Sequence, residues 1–126
     1  MKVFLAGLLL VFSSGCRQQS PTLAGGKPVS HWVQALQTSP DAKMRKEAAF
    51  KLGNVGPTDP TSLPALMGAL KDGDAGVRRE AILALVKFGS KAKEAVAVLT
   101  ELQQHDPDAQ VRNYAVKALE KLQSDK

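Results

Sequence analysis

From residue 41 onward the chain can be laid over itself three times, and no other property of the sequence restricts its fold as tightly. DAKMRKEAAFKLGNVG begins at Asp41, DAGVRREAILALVKFG at Asp74 and DAQVRNYAVKALEKLQ at Asp108, at offsets of 33 and then 34 residues. A period in that range marks a stack of supersecondary units, each too small to hide its own apolar face. In every copy Ala follows the Asp, an apolar residue stands three on (Met44, Val77, Val111) and an Arg four on (Arg45, Arg78, Arg112). The match continues through Ala48, Ala81 and Ala115, then Ala49, Ile82 and Val116, then Leu52, Leu85 and Leu119, then Val55, Phe88 and Leu122. At about 100° per residue these positions form one stripe on a helix, so each copy ends in an amphipathic helix.

Upstream of each lies a shorter helix with its own i, i+3, i+4, i+7 register: Val29, Trp32, Val33, Leu36; Leu63, Leu66, Met67, Leu70; and Ala95, Val98, Leu99, Leu102. Ser30 is placed to cap the first of these, and Ser62 with Pro64 to open the second. Asp41, Asp74 and Asp108 are placed to cap the longer helices, with Gly56 and Gly89 just past helix ends. The unit is therefore helix, turn, helix, in copies spanning about 29–56, 60–89 and 91–122.

Three such hairpins in tandem resemble HEAT repeats, most strongly in DAGVRREAILAL and DAQVRNYAVKAL, and more narrowly the short HEAT-like repeats of the phycobilisome lyase family. The resemblance implies an all-α, right-handed α-solenoid over residues 29–126, with the second helices lining the concave side. Asp41, Arg45, Asp74, Arg78, Asp108 and Arg112 then read as a structural ladder. Each Asp meets the positive end of a helix, and each Arg is one turn on, able to pair with that Asp. The resemblance adds a pairing with the Asp of the neighbouring repeat.

The first sixteen residues carry a different message. Lys2, the apolar run Val3 to Phe12 and the small residues Ser13, Ser14 and Gly15 before Cys16 make a bacterial secretory signal. Ten apolar residues rise about 15 Å as a helix, half of what a membrane crossing needs. The segment resembles a lipoprotein signal peptide, with Ser13 standing where Leu is usual; 1–15 is the expected leader and Cys16 the lipidated residue. Arg17 to Pro28, polar and rich in Gly and Pro, reads as a flexible tether, so the anchor and tether occupy 16–28. The expected location is the periplasmic side of the inner or outer membrane, with the membrane engaged through the lipid alone.

Lys and Arg outnumber Asp and Glu by 17 to 12, and loss of Lys2 with the leader leaves a formal charge of +4. Acids stand beside nearly every basic cluster, so no nucleic-acid partner is expected. No nucleophile elbow, phosphate loop, metal-ligand spacing or calcium loop occurs, and His31 and His105 fall in different copies. No enzyme activity, metal, cofactor or small-molecule substrate is expected. The remaining candidates point away from the apolar stripe. Nine residues after each Asp stand Phe50, Leu83 and Lys117, flanked by Lys46, Arg79 and Asn113 and by Glu47, Glu80 and Tyr114. An apolar strip in a charged rim suits a protein partner. The expected function is a protein-binding adaptor or scaffold; the alternatives are an accessory to pigment or cofactor attachment, by analogy with bilin lyases, and a self-assembling structural repeat.

Overall fold

In the computed structural model, which describes residues 22–125, every Asp that opens a copy becomes a helix N-cap. The backbone at Asp41, Asp74 and Asp108 is extended, and their carboxylates accept hydrogen bonds from the amides of Lys43, Val77 and Val111 at 3.0, 3.0 and 2.8 Å. The helices they start are α2 (Ala42–Val55), α4 (Ala75–Val86) and α6 (Ala109–Ser124). Their shorter partners are α1 (Val29–Thr38), α3 (Ser62–Ala69) and α5 (Val96–His105). Gly56 ends α2 with φ 62°. Helix α4 packs on both α2 and α6, and α1 packs on α2 and α3, so the hairpins stack into an all-α solenoid.

The expected stripe is the core. Ala48, Ala49, Leu52, Val77, Ala81, Ile82, Leu85, Val111 and Ala115 are buried. The stripe fails at its two ends: Met44 is 36% exposed and Val116 half-buried. Met44 belongs to the first hairpin and Val116 to the third, and among the described residues no further hairpin packs on the outer side of either. At the centre α2 and α4 approach so closely that a Cβ on Gly53 would stand 2.7 Å from Ala84 Cβ and 3.0 Å from its Cα.

Four local expectations are corrected. Residues 22–28, read as tether, form a two-stranded hairpin in which β1 (Leu23–Ala24) pairs antiparallel with β2 (Lys27–Pro28). Gly25 and Gly26 make its turn with φ 55° and 79°, the left-handed pair that a two-residue hairpin needs. Trp32 Nε1 donates to the Ala24 carbonyl at 2.7 Å, and the Lys27 and Lys51 ammonium groups lie 5.5 and 5.9 Å from the indole centroid. Ser30 is no cap: Pro28 holds that position, and the Val29 amide donates to Thr22 O at 2.9 Å. Ser62 is the first residue of α3, with its Oγ buried and unpartnered among the described residues, while the Asp59 carboxylate accepts hydrogen bonds from Thr61 N and Oγ1. The third copy opens with a 3-10 turn, Gly89–Ala95, before α5.

The ladder exists, but with different carboxylates. Arg45 Nε and Nη2 donate to Asp72 at 2.9 and 3.0 Å, and Arg78 Nε and Nη2 to Asp106 at 2.8 and 3.0 Å. Each Arg also donates Nη1 to a carbonyl of its own turn, Ser39 and Asp72 respectively, at 2.9 and 2.8 Å. Asp41, Asp74 and Asp108 make no such pair among the described residues; each instead caps its helix through Oδ1. Asp72 and Asp106 stand two residues before the last two caps, and their Oδ1 atoms accept the Asp74 and Asp108 amides at 2.9 Å. Arg112 repeats the carbonyl contact, Nη1 to Asp106 O at 2.6 Å, with no carboxylate opposite it among the described residues.

Burial alone would raise the Asp72 carboxyl. The hydrogen bonds from Arg45 and the Asp74 amide, with the charges of Arg45 and Arg78, together bring it below the ordinary carboxylate range. Its contribution to stability is therefore complete above about pH 4 and declines as pH falls through the lower folded value. Asp72→Asn should lower the urea midpoint near neutrality, and its deficit against the natural chain should shrink below about pH 4. Asp106→Ala leaves Arg78 buried and unpaired and should cost about 3 to 5 kcal/mol. In the same urea series Leu85→Ala should cost about 2 to 5 kcal/mol, and Met44→Ala well under half of that. Gly53→Ala should destabilise despite the better helix propensity of Ala, because the Cβ meets a backbone atom.

Candidate protein-binding face

The position nine residues after each capping Asp is turned about 180° from the apolar stripe. In the structure Phe50 is 45% and Leu83 41% exposed, and Lys117 is exposed. Lys46, Glu47 and Asn113 are exposed around them, whereas Arg79, Glu80 and Tyr114 are half-buried. Phe50 and Leu83 occupy the same register on adjacent helices of the stack, so they belong to one surface.

Contacts between helices make that surface continuous. Lys87 Nζ lies 5.3 Å from the Phe50 ring centroid and donates to Asn54 Oδ1 at 2.8 Å, which ties α4 to α2. Arg79 Nη1 donates to Gln110 Oε1, which ties α4 to α6. Lys87, Asn54 and Gln110 escaped the sequence reading. The signal was available: Asn54 and Lys87 both stand thirteen residues after a capping Asp, 33 apart, on this same face.

The face is an extended surface running across α2, α4 and α6. Gln110, Asn113, Tyr114 and Lys117 line a depression of about 190 Å³ at its C-terminal end. Larger clefts lie elsewhere, about 340 Å³ beside the β-hairpin and about 330 Å³ between Leu70, Arg78, Leu102 and His105. The ladder residues Asp41, Arg45, Asp74, Arg78, Asp108 and Arg112 sit at the interhelical loop edge, away from this face. No group of three or more His, Cys, Asp or Glu side chains could hold a metal ion among the described residues. No described helix is long and apolar enough to cross a membrane. Cys16 lies outside the described residues.

Comparison with known proteins agrees with this architecture. Residues 29–120 match the family of HEAT repeats. A HEAT repeat-containing taxis protein of Halobacterium salinarum is 38% identical over 82 residues, which cover 64% of this chain and 19% of that protein. The crystal structure of an engineered protein, a structural genomics target, matches with a TM-score of 0.61 at 32% identity, over 77% of this chain and 46% of that one. The chain thus spans about a fifth of the length of the taxis protein and under half of the engineered chain. HEAT repeats generally mediate protein–protein interaction, and these likenesses point to a repeat scaffold. With its repeats matched from residue 29 to residue 120 and its hairpins stacked as described, the chain belongs to the HEAT-repeat family.

Proposed function

We propose that the chain is a protein-binding adaptor, held at the bacterial envelope by lipid on Cys16, that engages its partner through the face centred on Phe50 and Leu83. One observation carries the binding site: two large apolar side chains stand exposed at equal register on adjacent second helices, on the side opposite the buried stripe. Covering such a side chain is worth up to about 1.5 to 3 kcal/mol, enough for a pair to anchor an interface. The apolar run Val3 to Phe12, followed by small residues before Cys16, supports the anchor. Thr22 already belongs to the packed hairpin, so at about 3.5 Å per residue Cys16 stands within about 20 Å of the folded domain. Such a short link would hold the solenoid close against the membrane surface.

The ends of the stack favour an adaptor over a self-assembling repeat. Head-to-tail stacking would set Arg112 against the first-hairpin equivalent of Asp72 and Asp106. That position is Ser39, which has no carboxylate to complete the rung.

Affinity capture with a leaderless chain should return partners that are lost with Phe50→Ala/Leu83→Ala. Both side chains are exposed, so the double variant should melt near the natural chain; retention of every partner would remove the face from this reading. Intact mass of the membrane-fractionated protein should correspond to a chain starting at Cys16 and carrying a diacylglyceryl group and a further acyl chain. An unmodified Cys16 would overturn the anchor.

A further inference from the structure

The acids and cations of this chain, mixed in the sequence, are separated in the fold. Asp41, Asp74 and Asp108 are engaged by helix amides, Asp72 and Asp106 by Arg45 and Arg78, and Asp59 by Thr61. All six lie in the loops between helices. The opposite pattern holds on the exposed face. Within about 60° of the face centre, the second helices and their C-terminal caps carry Lys43, Lys46, Arg79, Lys87, Lys117 and Lys121 against Glu47, Glu80 and Glu120. Of these nine, Lys121 alone makes an ion pair among the described residues, with Asp125 at 3.8 Å, and both partners are exposed. The expectation of locally balanced charge is therefore corrected for this surface.

We infer that the face takes an acidic segment of a partner protein, with apolar side chains of that segment seated on Phe50 and Leu83. The inference rests on the face assigned above and adds the chemistry of its occupant. Uncompensated ammonium and guanidinium groups flank an apolar midline, so the matching ligand is negative at its edges and apolar between them. Lys87 already lies over the Phe50 ring, and a carboxylate arriving there meets a cation held in place by Asn54. A polypeptide fits better than a phosphate polymer or a lipid surface. Glu47 and Glu80 interrupt the positive rows and would oppose a continuous run of phosphates. Phe50 and the half-buried Tyr114 are the only aromatic side chains on the face, too few for base stacking. Three helices set about 10 Å apart present about 20 Å of surface, the length of about six extended residues.

The test is fluorescence anisotropy with the leaderless chain and a synthetic labelled peptide of about ten residues, slightly longer than the face, carrying Asp and Glu around a pair of Leu. The acidic peptide should bind, and its affinity should fall at least about tenfold as salt rises from about 50 to about 300 mM. Lys46→Glu/Lys87→Glu should weaken binding by about tenfold or more, and so should replacing the peptide's Asp and Glu by Asn and Gln. Phe50→Ala/Leu83→Ala should weaken it as well. Circular dichroism melts of each variant verify folding. Equal binding of the neutral peptide, no binding of the acidic one, or preferential binding of oligo-dT or of phosphatidylglycerol vesicles would overturn the inference. The two readings fail separately. Partner capture that depends on Phe50 and Leu83 but ignores Lys46→Glu/Lys87→Glu keeps the face and rejects the acidic ligand; capture indifferent to both rejects the face itself.

Discussion

The step of this solenoid is set by a guanidinium that reaches from one hairpin to the loop of the next. Arg45 and Arg78 each place two nitrogens on a carboxylate 27 or 28 residues away and the third on a carbonyl of their own turn. Such a fork tolerates little translation or rotation, because both oxygens must lie in the guanidinium plane. The free energy of stacking comes mainly from the apolar stripe, since a buried ion pair returns little beyond its own desolvation. What the pair supplies is register: it fixes how far α4 slides along α2, and so whether Gly53 meets Ala84.

This device has a consequence for the opposite surface. Capping and the ladder together draw five Asp to the loop edge, while the second helices keep their Lys and Arg. The exposed face acquires a charge that the modest net charge of the chain does not suggest. The rows of the face align across the stack for the same reason, because the fixed step puts Asn54 beside Lys87 and Phe50 beside Leu83. The pattern of the exposed face is a by-product of stacking geometry acting on side chains that do not themselves stack.

The first and third hairpins differ at their outer faces. At the first hairpin, Trp32 is covered by the β-hairpin, and Ser39 replaces the ladder Asp; Ser39 Oγ still accepts the Asp41 amide, at 3.3 Å, so the loop keeps its turn without the charge. At the third, Arg112 keeps its carbonyl contact and Val116 is only half-buried.

The sequence by itself determined the repeat, the helical hairpins, the buried stripe and the outward register of Phe50 and Leu83. All of these follow from periodicity, which is local and survives without knowledge of neighbours. Asp72 and Asp106 were also legible, since an Asp recurs two residues before each of the last two caps at the repeat spacing. They were overlooked because a capping Asp and a ladder Asp look alike until it is known which oxygens the helix amides occupy. Tertiary structure alone decided that Gly25-Gly26 is a hairpin turn and not a linker, because only the docked Trp32 gives that turn something to hold. It alone decided the charge of the exposed face as well: which acids are engaged by guanidinium groups depends on contacts between hairpins, and those contacts exist only once the stack has formed.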